Sequence, residues 1–168
     1  MNDLLIINTG GTFNKIYNPI SGELEVDETG KALRILNQKW LCDETEQINI
    51  IGKDSLEMTN QDRFEILLTI NQTEKEKIII IHGTDTMHIT AEYLAESELE
   101  NKQVILTGAM VPYSIDPVEA TANVASAIGF LYANRECGVY MSMNGLVELY
   151  QNIRKDRKAG RFAPKIVK

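Results

Sequence analysis

Five short runs of aliphatic, mostly β-branched residues recur along this chain at intervals that leave room for a helix between them. They lie at positions 4–7, 48–51, 78–81, 104–106 and 139–141. Because nearly unbroken apolar runs of this length are typical of strands covered on both faces, we predict five buried strands.

Segments with helical spacing of apolar residues separate several of these runs. They lie at 59–73, 84–98 and 117–132. Thr59 followed by Asp62 is typical of a capped helix start, and Pro117 suits a first helical turn. Alternating strands and helices predict right-handed βαβ units, and therefore an α/β fold with a doubly wound, mainly parallel sheet in three layers, of the Rossmann or flavodoxin kind.

The composition fits a single domain over residues 1–168 with no second domain. The chain has 168 residues, 43% of them hydrophobic, enough to bury one core. The formal net charge of −7 argues against a protein that binds nucleic-acid phosphates with a whole face. Residues 153–168 carry a net charge of +6. We interpret most of these basic residues as a solvated tail, with Lys155 as the exception argued below.

Cysteine usage and the first residues favour a cytoplasmic protein. Cys42 and Cys137 show no paired spacing and are predicted to be buried free thiols. The apolar start is too short and too acidic for a signal peptide, and no apolar run is long enough to cross a bilayer. We expect no membrane partner.

Polar segments that contain glycine or hydroxyl residues follow four of the predicted strands, at 8–12, 52–55, 82–86 and 107–110. Because the carboxyl ends of parallel strands meet at one edge of a sheet, these segments predict a ligand site at that edge. Taken singly, each signal is weak. A glycine pair at Gly10 and Gly11 also suits a simple turn, and Thr84 with Asp85 also suits an ordinary helix start.

A threonine hydroxyl attacks a substrate only when a base takes its proton. His82 and His88 have neither metal-site spacing nor a third ligand nearby, so we predict structural roles for both and expect no metal or cofactor. The remaining candidate base is a lysine whose pKa is lowered towards neutral by burial and which a carboxylate holds in position. A Thr/Lys/Asp set would therefore supply nucleophile, base and positioner, provided that desolvation outweighs the charge of the Asp.

Three ordered motifs carry a resemblance to a known family. Residues 9–12, 82–87 and 106–110 resemble the signatures of the bacterial-type L-asparaginases in order and spacing. Segment 54–59 is similar to the family's substrate-binding segment, and 143–145 followed by Lys155 is similar to the strand and turn that bring in its lysine. The resemblance implies hydrolysis of the side-chain amide of asparagine, or sometimes glutamine, with release of ammonia.

The resemblance also implies roles for individual residues. Thr12 is the expected nucleophile, assisted by a mobile Tyr17, and Thr84, Asp85 and Lys155 are expected to activate a nucleophile or water. Ser55 and Asp85 are expected to hold the carboxylate and ammonium of an amino acid, whereas Gly11, Thr84 and Ala109 line the amide. The implied substrate-binding residues share positions next to the strand ends: Gly11, Ser55, Glu57, Gly83 and Ala109.

The chain departs from the long members of this family. Those enzymes have a C-terminal domain that contributes an acid to the neighbouring subunit's site, so this chain resembles the short, single-domain members. The missing acid is expected from Glu23, Glu25 or Glu148, or from a neighbouring copy in a homodimer or homotetramer. Leu56 stands where some long enzymes have a polar residue, which puts asparagine itself in question as the preferred substrate.

Two other functions remain open. The chain could be a non-catalytic amino-acid-binding or regulatory protein derived from such a domain, although binding alone does not require Lys155. It could also be an amidotransferase-like subunit acting on a larger carrier such as an amidated transfer RNA. The acidic body of the chain argues against that last function.

Overall fold

A computed structural model describes residues 3–41 and 45–165. Its strands are β1 (Leu4–Gly10), β2 (Lys15–Asn18), β3 (Glu23–Val26), β4 (Glu46–Lys53), β5 (Lys77–Ile81), β6 (Gln103–Thr107), β7 (Gly138–Met143), β8 (Leu146–Leu149), β9 (Ile153–Asp156) and β10 (Arg161–Pro164). Its α-helices are α1 (Lys31–Leu36), α2 (Asn60–Gln72), α3 (Met87–Ala95) and α4 (Pro117–Ala133).

The main sheet has six strands in the order β4-β1-β5-β6-β7-β8. Every neighbouring pair is parallel except β7 and β8. All five predicted runs lie in its strands, so the prediction of a doubly wound, mainly parallel sheet is confirmed. The order is that of flavodoxin-like sheets, in which strand order reverses between β1 and β5 and a ligand site opens at that point.

Helices cover both faces of the sheet because every second residue of each central strand points to the same side. Leu4 and Ile6 pack with the apolar residues of α1 and α4, whereas Leu5 and Ile7 pack with those of α2 and α3. Each central strand is therefore buried on both sides, which explains why it is apolar without alternation.

The three predicted helices are present, and the second is shorter than predicted at both ends, since it spans Met87–Ala95. Thr59 caps α2 as predicted: its hydroxyl accepts a hydrogen bond from the Asp62 amide at 3.2 Å, and its own amide donates to the Asp62 carboxylate at 2.7 Å. The third predicted helix begins with Pro117 in its first turn. The second begins at Met87 instead of position 84, because residues 84–86 form a loop at the sheet edge.

Several short elements were not predicted from the sequence. They include α1, the edge strand β8 and two hairpins, β2–β3 and β9–β10. The supposed basic tail is therefore in large part the β9–β10 hairpin. Before it, an Asn144–Gly145 turn joins β7 to the antiparallel edge strand β8.

The prediction for Cys137 was partly wrong. Cys137 is a free thiol, but it is exposed, because it lies in the loop that leads into β7 at the amino ends of the strands. Cys42 lies outside the described residues. Over the part of the chain that the structure describes, no helix is both long and apolar enough to cross a membrane.

Candidate active site

The loops after β1, β4 and β5 touch one another through their backbones. The Gly11 amide donates to the Lys53 carbonyl at 2.9 Å. Gly11 has a φ of 73°, and a Cβ there would overlap the backbone of Gly83. A Cβ on Gly83 would in turn lie 2.6 Å from the Cβ of Ser55. These three positions, Gly11, Gly83 and Ser55, form what we call the glycine stack, and it requires two residues without side chains.

The loop after β6 joins the same edge of the sheet. A Cβ on Gly108 would overlap the carbonyl of His82, and the buried Ala109 follows it. The structure therefore places the polar segments of four strand ends side by side, at the reversal of strand order between β1 and β5.

Lys155 is hydrogen-bonded to two residues of the loop after β5. Its Nζ lies 2.8 Å from Thr84 Oγ1 and 3.0 Å from Asp85 Oδ1. Thr84 is buried and Lys155 is mostly buried. The hydroxyl, ammonium and carboxylate are therefore in direct contact although 70 positions separate Asp85 from Lys155.

Burial alone would raise the pKa of Asp85, but its bonds with Lys155 and Arg157 hold the pKa below its usual value. Asp85 is therefore a carboxylate at neutral pH. A fixed negative charge at this position keeps the Lys155 amine beside the Thr84 hydroxyl, which is the geometry that proton transfer between the two groups needs.

Lys155 reaches the site because the β9–β10 hairpin is anchored beneath it. Ile153 and Phe162 are buried in the core between the sheet, α2 and α3. Phe162 lies opposite Lys155 in the hairpin register, and its amide donates to the Asn144 side chain at 2.8 Å. The alternation of β9 places Lys155 on the same side as Ile153, so the hairpin directs its amine inward.

Thr12 begins a short 3₁₀ turn directly after β1 and is half-buried. Asn14 fixes the turn, since its side-chain amide donates to the carbonyl of Gly10 at 2.7 Å and to the Asn8 side chain at 2.8 Å. Thr12 is thereby held next to Gly11, one position beyond the glycine stack.

Ser55 lies in a second 3₁₀ turn, after β4. Its Oγ is buried and has no hydrogen-bond partner among the described residues. Its carbonyl accepts a bond from the Thr86 hydroxyl at 2.7 Å, which ties this turn to the loop that carries Thr84. Glu57, two residues further on, is exposed.

Tyr17 lies on β2, with 63% of its surface exposed. The β2–β3 hairpin is attached to the rest of the protein at its base, where Lys15 forms a 2.7 Å ion pair with Asp54 and its carbonyl accepts from the Ser114 hydroxyl at 2.7 Å. Tyr17 is therefore beyond the anchored base, in the more exposed part of the hairpin.

The three candidate acids lie on two other elements. Glu23 and Glu25 are exposed on β3, where Glu25 accepts bonds from Asn18 and Ser21 of the same hairpin. Glu148 is exposed on β8, the edge strand. Within residues 3–41 and 45–165, none of the three forms an ion pair with Lys155.

His82 forms a buried network behind this site. Its Nδ1 lies 2.7 Å from the Gly83 carbonyl, which can only accept, so Nδ1 carries the proton. Its Nε2 then accepts from the Thr90 hydroxyl at 2.8 Å, while that hydroxyl accepts from Arg63 at 3.1 Å. Burial lowers the pKa of His82 to about 4. A neutral, internally bonded ring fits the structural role predicted for it.

We expect the stability of the protein to fall between pH 6.5 and pH 4 partly because of His82. The unfolded histidine binds a proton in this range and the folded one does not, so the free energy of unfolding decreases as pH falls, by at most about 3 kcal/mol. Urea unfolding at pH 7 and pH 5 should show a smaller decrease in the free energy of unfolding for His82→Gln than for the wild type. An equal decrease in the two proteins would contradict the assignment.

Arg157 is the residue of this site that the sequence analysis missed. Its Nη1 lies 2.7 Å from Asp85 Oδ1, the oxygen that Lys155 also contacts. No strand pattern signals this contact, because Arg157 lies in the turn directly after β9.

Comparison with known proteins agrees with the fold and the motifs. The sequence profile of the family described as Asparaginase, N-terminal, matches residues 3–161. The chain is 25% identical to a glutaminase-asparaginase of Acinetobacter glutaminasificans over 92% of this chain and 50% of that protein. It is 30% identical to a probable periplasmic L-asparaginase of Haemophilus influenzae over 86% of this chain and 44% of that protein.

Solved structures show the same fold at lower sequence identity. The thermostable L-asparaginase from Thermococcus kodakarensis superposes with a TM-score of 0.79 at 23% identity, over 96% of this chain and 50% of that one. A probable cytoplasmic L-asparaginase from Campylobacter jejuni gives 0.77 at 22% identity, over 96% and 51%. The chain spans about half the length of the curated relatives it matches. Its profile match over nearly all described residues shows that this chain belongs to the asparaginase family, in the part that forms the N-terminal domain.

Proposed function

We propose that this chain is an amidohydrolase that releases ammonia from the side-chain amide of asparagine or a similar small amide. The observation that carries the proposal is the contact of Lys155 with both Thr84 and Asp85, beside the glycine stack. The names of the curated relatives, a glutaminase-asparaginase and a probable L-asparaginase, support the same chemistry.

In the first step that we propose, Thr12 is the nucleophile. Its Oγ bonds to the amide carbon, and its proton passes through the Tyr17 hydroxyl to the amide nitrogen. The carbon–nitrogen bond then breaks, ammonia leaves, and the acyl group remains on Thr12 as an ester. Tyr17 can take part only when the outer part of the β2–β3 hairpin folds over the sheet edge, since the side chain is exposed in the described conformation.

In the second step, water attacks the ester carbon, the bond from that carbon to the Thr12 oxygen breaks, and the proton that water has lost returns to the Thr12 oxygen to restore its hydroxyl. Thr84 and Lys155 take the proton from water, and Asp85 holds Lys155 in position. Lys155 donates to Thr84 in the described state, so it accepts a proton from Thr84 only after it has lost one of its own. The product is a carboxylic acid.

The substrate would bind over the glycine stack. We assign the carboxylate end to Ser55, because its buried hydroxyl has no partner among the described residues and can donate to an anion. Backbone groups at Gly11, Gly83 and Ala109 would line the amide. The Gly11 N–H already donates to the Lys53 carbonyl, so the N–H groups that stabilise the negative charge on the amide oxygen would come from the other positions. Glu57 would lie at the outer, exposed end of this site.

We also propose that a second copy of this chain contributes the missing acid, in a dimer or tetramer. The exposed apolar residues of the β2–β3 hairpin, Ile16, Tyr17, Ile20 and Leu24, are compatible with such a contact. A cytoplasmic location stays a prediction, since one relative is described as periplasmic and one structural neighbour as cytoplasmic.

The proposal predicts ammonia release by the purified protein from at least one of asparagine, glutamine and a panel of small amides. The Lys155→Met variant serves as the blank. Turnover in the wild type that is absent from the variant would support an amidohydrolase and rank its substrates. Binding of amino acids without any turnover would contradict the proposal and favour the non-catalytic binding protein.

A further inference from the structure

The carboxylate of Asp85 is already paired with two cations before any substrate arrives. Lys155 and Arg157 both donate to the same oxygen, Oδ1, at 3.0 and 2.7 Å. A substrate ammonium that approached Asp85 would therefore have to displace one of them or add a third positive charge. Lys155 is mostly buried, whereas 66% of the Arg157 side chain is exposed.

Within residues 3–41 and 45–165, the acid whose charge acts on Asp85 is not free to attract an ammonium. Asp54, the acid whose charge acts on Asp85, is itself neutralised by Lys15 at 2.7 Å. Three cations therefore pair with two carboxylates here, namely Lys15 with Asp54, and Lys155 and Arg157 with Asp85. A cavity of about 180 Å³ beside Asp85 and Lys155 adds further basic groups to its lining, namely Arg154 and Lys165. The local field favours an anion and disfavours a cation.

We propose that Arg157 occupies the place of a substrate ammonium at Asp85, so that the site prefers small ω-amides that carry a carboxylate but lack an ammonium group. This inference rests on the proposed amide hydrolysis and names its substrate class. Arg157 acts as a specificity-determining residue, because its guanidinium leaves the carboxylate-binding hydroxyl of Ser55 and the bond from Lys155 to Thr84 untouched. The exposed Leu56 next to Ser55 adds no polar group that could bind an ammonium instead.

The test compares two amides that differ only in the ammonium group, L-asparagine and succinamic acid. For the wild type we expect a kcat/KM for ammonia release at least about tenfold higher with succinamic acid, as one unfavourable charge contact produces. Arg157→Gln should lower this ratio by about tenfold, chiefly through a lower KM for asparagine. Lys158→Gln removes a neighbouring charge that contacts no part of Asp85 within the described chain and should leave the ratio unchanged.

A binding measurement separates this inference from the proposed hydrolysis. Isothermal titration calorimetry with succinate and L-aspartate measures the same selectivity as a ratio of dissociation constants, without turnover. We expect Arg157→Gln to raise the affinity for aspartate relative to succinate. If both proteins release ammonia and the ratio of kcat/KM for succinamic acid to that for L-asparagine is the same in wild type and Arg157→Gln, the inference is overturned and the proposed hydrolysis is not. Absence of ammonia release would overturn the hydrolysis, and the ratio of dissociation constants would then decide the inference.

Discussion

Replacing Lys155 with Met should reduce kcat by roughly 10³-fold to 10⁴-fold while leaving KM nearly unchanged. Met keeps the length and most of the packing of the lysine stem but has no amine. Thr84 then lacks the partner at 2.8 Å that takes its proton. The substrate contacts that we assign to Ser55 and Gly11 do not involve this amine. Steady-state kinetics of ammonia release on the best amide of the panel measures both constants.

The Lys155→Met variant should remain folded, because Asp85 keeps its bond to Arg157 at 2.7 Å and the hairpin keeps its buried Ile153 and Phe162. A thermal melt within a few degrees of the wild type would verify this. Lys158→Met, on the exposed turn of the same hairpin, is the matched control for loss of a lysine. A Lys155→Met enzyme with kcat within tenfold of the wild type would exclude Lys155 as the base.

The second large effect is expected for Thr12→Ala, which should lose about 10⁴-fold or more in kcat/KM. Without the hydroxyl no ester forms, and only direct attack by water activated at Thr84 remains. Thr12→Ser retains a hydroxyl at the same place beside Gly11 and should keep measurable turnover. Ammonia release and intact-protein mass spectrometry together measure the effect, since a trapped ester adds the mass of the acyl group to wild type but not to Thr12→Ala.

Near-normal turnover by Thr12→Ala would show that Thr12 is not the nucleophile. The attack would then have to come from Thr84, whose hydroxyl is in direct contact with Lys155. In that case Thr84→Ala and Lys155→Met should lose activity by similar factors, because one group removes the proton of the other.

The sheet could be predicted from the sequence because burial on both faces leaves a clear pattern. Runs such as 78–81 consist of β-branched residues with no polar residue between them. The two hairpins could not be predicted in the same way. β2 and β3 are largely exposed, and β9 combines one apolar residue, Ile153, with three charged ones. Their strands form because they pair with each other and because a few side chains attach them to the rest of the protein. The periodicity of apolar residues in one sequence shows neither kind of contact.

The residues of the candidate site also differ in whether the sequence predicts them. The segments around Thr12, Ser55 and Thr84 directly follow buried strands, so the topology predicts that they meet. Lys155 was reached through a proposed Thr/Lys/Asp set and a family resemblance, since no spacing rule connects it to Thr84. Arg157 was assigned to a solvated tail because the net charge of that segment hid the strand. Arg157 begins the turn directly after β9, and from there its guanidinium contacts Asp85.

The glycine stack also has a consequence for motion. Gly11 and Gly83 have no side chain that could move aside, and Gly83 packs directly against the Cβ of Ser55, so we expect the loops that carry these three residues to move together. We therefore expect the two hairpins to move when small molecules enter and leave the site, because only a few side-chain bonds among the described residues hold their bases. Amide hydrogen exchange should therefore divide this edge of the protein into one slow cooperative unit made of the three loops and two faster hairpin units that open independently of it.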